Sequence, residues 1–127
     1  TAVEYGIDGI VLSNHGGRQL DSSVSPMEIL PDVRAAVGDA LTILLDGGFR
    51  RGSDILKAVL LGADAVLLGR TTLYGLGAGG QAGVDHALGL LFKEMDRTLG
   101  LLGCSNLQEL DRSLIRDSCV PQTVSPA

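Results

Sequence analysis

The chain has no tryptophan, two tyrosines and two phenylalanines, so aromatics make up only 3% of its 127 residues. That scarcity argues against a module that stacks successive bases on aromatic side chains. Positive charge is short too: ten Lys and Arg stand against fifteen Asp and Glu, for a net charge of −5. With no basic stripe to neutralise a phosphate backbone, a nucleic-acid partner is not expected. The two cysteines, Cys104 and Cys119, lie far from any metal-like spacing and read as a reduced, intracellular pair, with no metal site. No window approaches the roughly 18 uninterrupted apolar residues of a membrane span, and no signal peptide opens the chain. Aliphatic residues and glycine are what it has in plenty, with 45% hydrophobic content and 18 glycines. Such a balance suits aliphatic strands joined by glycine-rich turns in one soluble domain.

An internal repeat organises the chain. Ala2-Val3-Glu4-Tyr5-Gly6-Ile7-Asp8-Gly9-Ile10-Val11-Leu12 matches Ala58-Val59-Leu60-Leu61-Gly62-Ala63-Asp64-Ala65-Val66-Leu67-Leu68. The second copy reads as a helix end, a glycine cap and a strand. By the same reading residues 1–5 are the last turn of a helix, and a chain opening on Thr1 without an initiator Met is expected to be a piece of a larger protein.

The apolar run at residues 9–12 has no polar alternation and reads as a strand covered on both faces, the habit of parallel strands in α/β proteins. Ser25-Pro26-Met27-Glu28 has the form of a capping box with Pro at the first helical position, launching a helix to about Val37. A strand is expected over residues 41–45. Ser53 then caps a helix over residues 54–61, Gly62 stops it, and a third strand covers residues 65–68. Residues 71–76 suit one or two helical turns, followed by a glycine-rich loop. Val84, Leu88, Leu91, Met95, Leu99 and Leu102 then form the stripe of a long amphipathic helix. Residues 105–127 read as a tail after a domain of residues 1–104, frayed from Val120 onward.

Three strands, each followed by a helix, make a parallel α/β piece, either of an open doubly wound sheet or of a (β/α)8 barrel. Barrels often hold phosphate with the loops after strands seven and eight and the N-terminus of a small extra helix. The glycine-rich turn after the second strand and the Gly69-Arg70 pair after the third fit that arrangement. The expected fold is therefore the C-terminal portion of a (β/α)8 TIM barrel, its strands six to eight.

Chemistry gathers where these strands empty into loops. After the first come Ser13, Asn14, His15, Gly16, Gly17, Arg18, Gln19, Leu20 and Asp21, with a titratable imidazole and a guanidinium fork three residues apart. After the second come Asp46, Gly47, Gly48, Phe49 and Arg50, more glycine than a plain turn needs. Such glycines open backbone N–H groups toward phosphate oxygens, Arg50 and Arg70 supply charge, and Asp46 can accept from ribityl hydroxyls. Gly75, Gly77 and Gly80 formally fit G-x-G-x-x-G but do not emerge from a strand, so they read as a flexible connector. His86, beside Asp85, reads as a solvated surface residue.

Ser-Asn-His-Gly-Gly-Arg-Gln-Leu-Asp, Asp-Gly-Gly-Phe-Arg-Arg-Gly-Ser-Asp and Gly-Arg-Thr-Thr-Leu-Tyr-Gly together resemble the C-terminal part of the FMN-dependent α-hydroxy acid dehydrogenases and oxidases, of mandelate, lactate or glycolate type. The likeness runs from about Ala2 to Leu102. Its histidine run is highly specific, whereas the phosphate segments are shared with inosine monophosphate dehydrogenases and flavin-dependent isopentenyl diphosphate isomerases. The resemblance implies FMN as cofactor and a small L-2-hydroxy acid, oxidised to the 2-oxo acid, as substrate. His15 would be the base and Arg18 the carboxylate clamp. Ser13 would touch the flavin, and Asp46, Gly47, Gly48, Phe49, Arg50, Gly69 and Arg70 would hold the ribityl phosphate. The resemblance further implies a homo-oligomer, a tetramer, that is cytoplasmic or peripheral to the inner membrane, with oxygen, a quinone or a cytochrome as electron acceptor. Family members are full barrels, so the alternative is that this chain alone is an inactive half-barrel.

Overall fold

The computed structural model describes residues 2–115. Three strands, β1 (Gly9–Leu12), β2 (Thr42–Asp46) and β3 (Ala65–Leu67), form one parallel sheet in the order β1-β2-β3. Ile10 pairs with Ile43, and Leu45 with Val66. The helices α1 (Pro26–Val37) and α2 (Gly52–Leu60) make the two crossovers, and α3 (Arg70–Leu102) follows β3.

Alternation along the strands sends Ile10, Leu12, Ile43, Leu45 and Val66 to one face, where they pack with Leu30, Phe49, Ala58 and Ala63. Complete burial of Ile43 and near-complete burial of Leu45 stabilise the fold by about 1.5–3 kcal/mol each. On the other face Val11 is 51% and Leu67 41% exposed. The expectation of cover on both faces is thus met on one only: the described helices lie to one side, and the opposite side of the sheet stays open.

The internal repeat has a structural counterpart. Gly62 N–H donates to the Val59 carbonyl and Ala63 N–H to that of Ala58; Gly6 and Ile7 donate to Val3 and Ala2 in the same pattern. Both are Schellman closures with a left-handed glycine, φ +65° at Gly6 and +111° at Gly62. Residues 2–7 therefore close as a helix end does.

Arg34 clasps the corner where these segments meet. Its guanidinium donates to the carbonyls of Gly62, Gly38 and Leu41 and pairs with Asp64, whose carboxylate also accepts from the Ile43 N–H at 2.7 Å. Partial burial pushes the Asp64 carboxyl up, but the Ile43 N–H and Arg34 outweigh it and hold it below its ordinary value.

Three local expectations are corrected. Ser25 precedes α1, with Pro26 at its first position, but the Ser25 side chain makes no capping bond. Helix α2 begins at Gly52, so Ser53 lies inside it; its N-terminus is served by Asp54, which accepts from the Arg51 N–H at 3.1 Å, and by Glu94, which accepts from the Gly52 N–H at 2.8 Å. Those two carboxylates take the place of the serine cap. The expected glycine-rich loop shrinks to Gly79 and Gly80, whose non-helical angles break α3 into two arms, residues 70–78 and 81–102. The arms fold back on each other so closely that the backbones of Gly75 and Gly83 touch, and a Cβ at either glycine would strike the other's carbonyl.

On the second arm Leu91 is buried and Val84, Leu88, Met95 and Leu99 are half-buried, as the stripe predicts, while Leu102 is exposed. His86 is exposed, as expected. Beyond Gly103 come two short 3-10 turns, Leu107–Glu109 and Arg112–Leu114. The Cys104 thiol is free and donates to the Glu109 carbonyl. Cys119 and the frayed segment expected from Val120 lie outside the described residues. Among those described, no helix is long and apolar enough to cross a membrane, and no cluster of His, Cys, Asp and Glu suits a metal ion.

Candidate active site

A cavity of about 630 Å³ opens at the carboxyl end of the sheet, where three strand exits and the start of α3 converge. His15 and Arg18 reach it from β1, Asp46, Gly47, Gly48, Phe49 and Arg50 from β2, and Gly69 and Arg70 from β3. Nine of the ten expected site residues are thereby brought together. The tenth, Ser13, lines a second hollow and is bonded to two of them: its hydroxyl donates to Asp46 Oδ2 at 2.8 Å and accepts from the His15 N–H at 3.0 Å.

The histidine loop is wound unusually tightly. His15, Gly16 and Gly17 all have left-handed backbones, with φ of +56°, +66° and +70°. For the two glycines this is cheap, whereas a histidine there costs on the order of 1 kcal/mol and has to be held by its surroundings. Part of the hold is local, since the Asn14 side chain accepts from the Gly16 N–H at 3.0 Å and donates to the Val24 carbonyl at 3.4 Å. The 3-10 turn His15–Gly17 then delivers Arg18 to the cavity that His15 lines.

The geometry of the second loop suits an anion. Gly47 and Gly48 have φ of +120° and +76°, and nothing lies within 4 Å of where a Cβ at Gly48 would be, so main chain is open to the cavity there. Phe49 contributes backbone only, because its side chain is core. Helix α3 starts beside this loop with no side-chain cap at Gly69, so its N-terminus presents unpaired N–H groups and the positive end of its dipole.

Among the described residues Arg18, Arg50 and Arg70 form no ion pair; the salt bridges instead join Arg34 to Asp64 and Arg51 to Glu94. Three guanidiniums against the single carboxylate of Asp46 leave the cavity with excess positive charge. A phosphate would be matched by this combination of open glycine backbone, helix N-terminus and arginines, and a ribityl chain by the adjoining Asp46. The residues present therefore fit a flavin mononucleotide's phosphate end.

Sequence reasoning missed Thr71 and Tyr74, which also line the cavity. The Thr71 hydroxyl donates to the Phe49 carbonyl at 2.6 Å and so ties the start of α3 to the glycine loop. Both belong to the Gly-Arg-Thr-Thr-Leu-Tyr-Gly run, where hydroxyls in the first two turns of α3 are the available signal. The second hollow, about 620 Å³ and largely apolar, is lined by His15 with Ser13, Leu20 and Val24.

The profile of the FMN-dependent dehydrogenase family matches residues 1–117. An L-lactate oxidase from a Nostoc species is 54% identical over 114 residues, which are 90% of this chain and 31% of that protein. The (S)-mandelate dehydrogenase of Pseudomonas putida is 53% identical over 121 residues, 95% of this chain and 30% of its own length. Among solved structures, a monotopic membrane (S)-mandelate dehydrogenase superimposes with a TM-score of 0.85 at 54% identity, over 90% of this chain and 30% of that one. A mandelate oxidase with benzoyl-formic acid superimposes at 0.82 and 49% identity, over 87% of this chain and 33% of that one. The chain thus spans about a third or less of the length of each of these relatives.

Proposed function

The chain belongs to the FMN-dependent dehydrogenase family, and on that premise we propose that it is the C-terminal portion, strands six to eight, of a (β/α)8 barrel that oxidises a small L-2-hydroxy acid to the 2-oxo acid. The observation that carries this reading is the single cavity that places His15 and Arg18 beside an arginine- and glycine-built anion site. The open face of the sheet and the matched share of the relatives support the placement within a barrel, whose interior is filled by side chains from all eight strands.

In this proposal Gly47, Gly48, Arg50, Gly69 and Arg70 hold the FMN phosphate, Phe49 through its backbone, and Asp46 accepts from ribityl hydroxyls. When bound, the flavin supplies the acceptor for the two electrons that leave the substrate carbon. Arg18 takes both oxygens of the substrate carboxylate in its planar fork, which orients the 2-hydroxyl toward His15. His15 then removes a proton as a general base. A histidine and an arginine three residues apart on one tight loop favour this over an inosine monophosphate dehydrogenase-like or isopentenyl diphosphate isomerase-like barrel.

The intact enzyme is a homo-oligomer, cytoplasmic or peripheral to the inner membrane. The 127-residue chain alone is an inactive half-barrel, because the ring of the flavin would rest on strands it does not contain. The test is to denature the purified full-length enzyme, identify the released chromophore, and titrate the native enzyme anaerobically with lactate and mandelate. FMN released and bleached by one of these acids is the expected result. FAD or no flavin would end the phosphate-site reading, and a 127-residue chain that is itself yellow and reducible would end the half-barrel reading.

A further inference from the structure

We propose that Asp46 and Ser13 form a two-residue relay that positions His15, so that occupancy of the cofactor site and placement of the base are coupled; this rests on the function proposed above. Asp46 ends β2 and lines the cavity, while Ser13 follows β1, the adjacent strand, and lines the neighbouring hollow that His15 shares. The Ser13 hydroxyl has one proton, and it goes to Asp46 Oδ2 at 2.8 Å. Its lone pair is left to accept the His15 N–H at 3.0 Å.

That second bond falls on the residue that most needs holding. His15 is left-handed at φ +56°, a conformation that a histidine abandons unless its surroundings over-determine it. Asn14 fixes the next residue by accepting from Gly16 N–H, so the loop has two side-chain anchors. The Asn14 anchor stays within the loop and ends on Val24, whereas the Ser13 anchor alone crosses to β2 and a residue of the cavity. A ligand hydroxyl that donates to Asp46 would fix the carboxylate's orientation. The serine proton follows the carboxylate, and the His15 backbone follows the serine oxygen. Ser13 and Asp46 are in this respect positioning residues, acting on the proton transfer only through where they place His15.

The experiment uses the full-length enzyme with Ser13→Ala, Ser13→Thr and Asp46→Ala. Amide hydrogen exchange of the peptide spanning residues 9–24 is compared with and without FMN, and flavin reduction is followed in stopped flow at saturating hydroxy acid and full FMN occupancy. In the parent, FMN should slow exchange at the His15 amide by about tenfold, the scale of a single hydrogen bond. In Ser13→Ala and Asp46→Ala that slowing should drop below about threefold, and at full FMN occupancy reduction should slow by roughly tenfold. Ser13→Thr, which keeps the hydroxyl, should restore both. If the parent slowing persists in Ser13→Ala, or in Asp46→Ala should the Ser13 variant not fold, the relay is wrong. A rate loss that vanishes once FMN is saturating would also overturn it, reducing Ser13 to a flavin contact. A parent enzyme whose flavin no 2-hydroxy acid reduces would instead sink the proposed function, and the exchange comparison would still decide the relay.

Discussion

Replacing Gly52 by alanine adds one methyl group at the point where α2 meets the second arm of α3. A Cβ built there would lie 2.5 Å from the Leu91 carbonyl oxygen and the Met95 nitrogen, and 2.7 Å from Glu94 Cβ, where ordinary contact begins at 3.4 Å. Two of the three obstacles are backbone of a helix, so no rotamer change relieves them; α3 has to retreat by roughly 0.9 Å from 2.5 Å to reach 3.4 Å. That retreat stretches the bond from Gly52 N–H to Glu94 that serves the start of α2. Overpacking of this kind costs about 1–3 kcal/mol, and backbone obstacles put it toward the upper end. Alanine's better helix propensity returns up to about 1 kcal/mol. The net expectation is a loss of about 1–2 kcal/mol, read as a urea midpoint lowered by roughly 0.5–1 M for a slope near 2 kcal/mol/M. Gly89→Ala is the internal control, because Gly89 is also helical but has nothing within 4 Å of its Cβ position. It should gain about 0.5–1 kcal/mol. A Gly52→Ala chain as stable as its parent, or both alanines shifting the midpoint in one direction, would refute the packing argument.

In the full-length enzyme, His15→Asn should slow flavin reduction by about 10²–10⁴ while leaving FMN bound; stopped-flow rates within about threefold of the parent would remove His15 from the chemistry. Arg18→Lys should weaken turnover of a 2-hydroxy acid by roughly tenfold or more and that of the matching ester or amide much less, since only the acid presents two carboxylate oxygens to the fork. Steady-state comparison of acid and ester decides it, equal losses meaning that Arg18 merely supports the loop. The lowered Asp64 carboxyl gives a sign for acid stability: the ionised form is favoured by folding, so its contribution is present above the ordinary carboxylate range and is lost as pH falls below about 4 through the folded value. Melting temperatures of Asp64→Asn should accordingly sit below the parent's at pH 6 and approach them toward pH 3, and a constant gap across that range would show that Asp64 does not titrate with folding.

Much of this was legible because it is local. Ile10, Ile43 and Val66 sit in short apolar runs whose ends are marked by Gly, Asp and Ser, and the two A-V-x-x-G segments name their own Schellman closures. The cavity was legible for the same reason, since His15 with Arg18 and Gly47 to Arg50 are contiguous in sequence and each run follows a strand directly. What escaped depends on partners distant in the chain. Ser53 looks like a helix cap until Glu94, 42 residues from Gly52, takes the N–H at the start of α2. Ser13, read only as a flavin contact, turns out to bridge to Asp46, 33 residues away.

Glycine shows most clearly where local reading stops. At Gly47 and Gly48 it supplies positive φ beside an arginine, and the neighbouring charge is what makes the proposed anion site readable. At Gly75 and Gly83 the same residue looks like the filling of a flexible loop, because composition alone cannot distinguish a chain that needs freedom from two backbones that need proximity. The structure decides for proximity: with no Cβ on either, the arms of α3 close over the break at Gly79 and Gly80, and Ala87 of the second arm is carried to the wall of the cavity beside Tyr74. A residue that no motif marks thus reaches the site because two glycines eight positions apart let a helix fold back on itself.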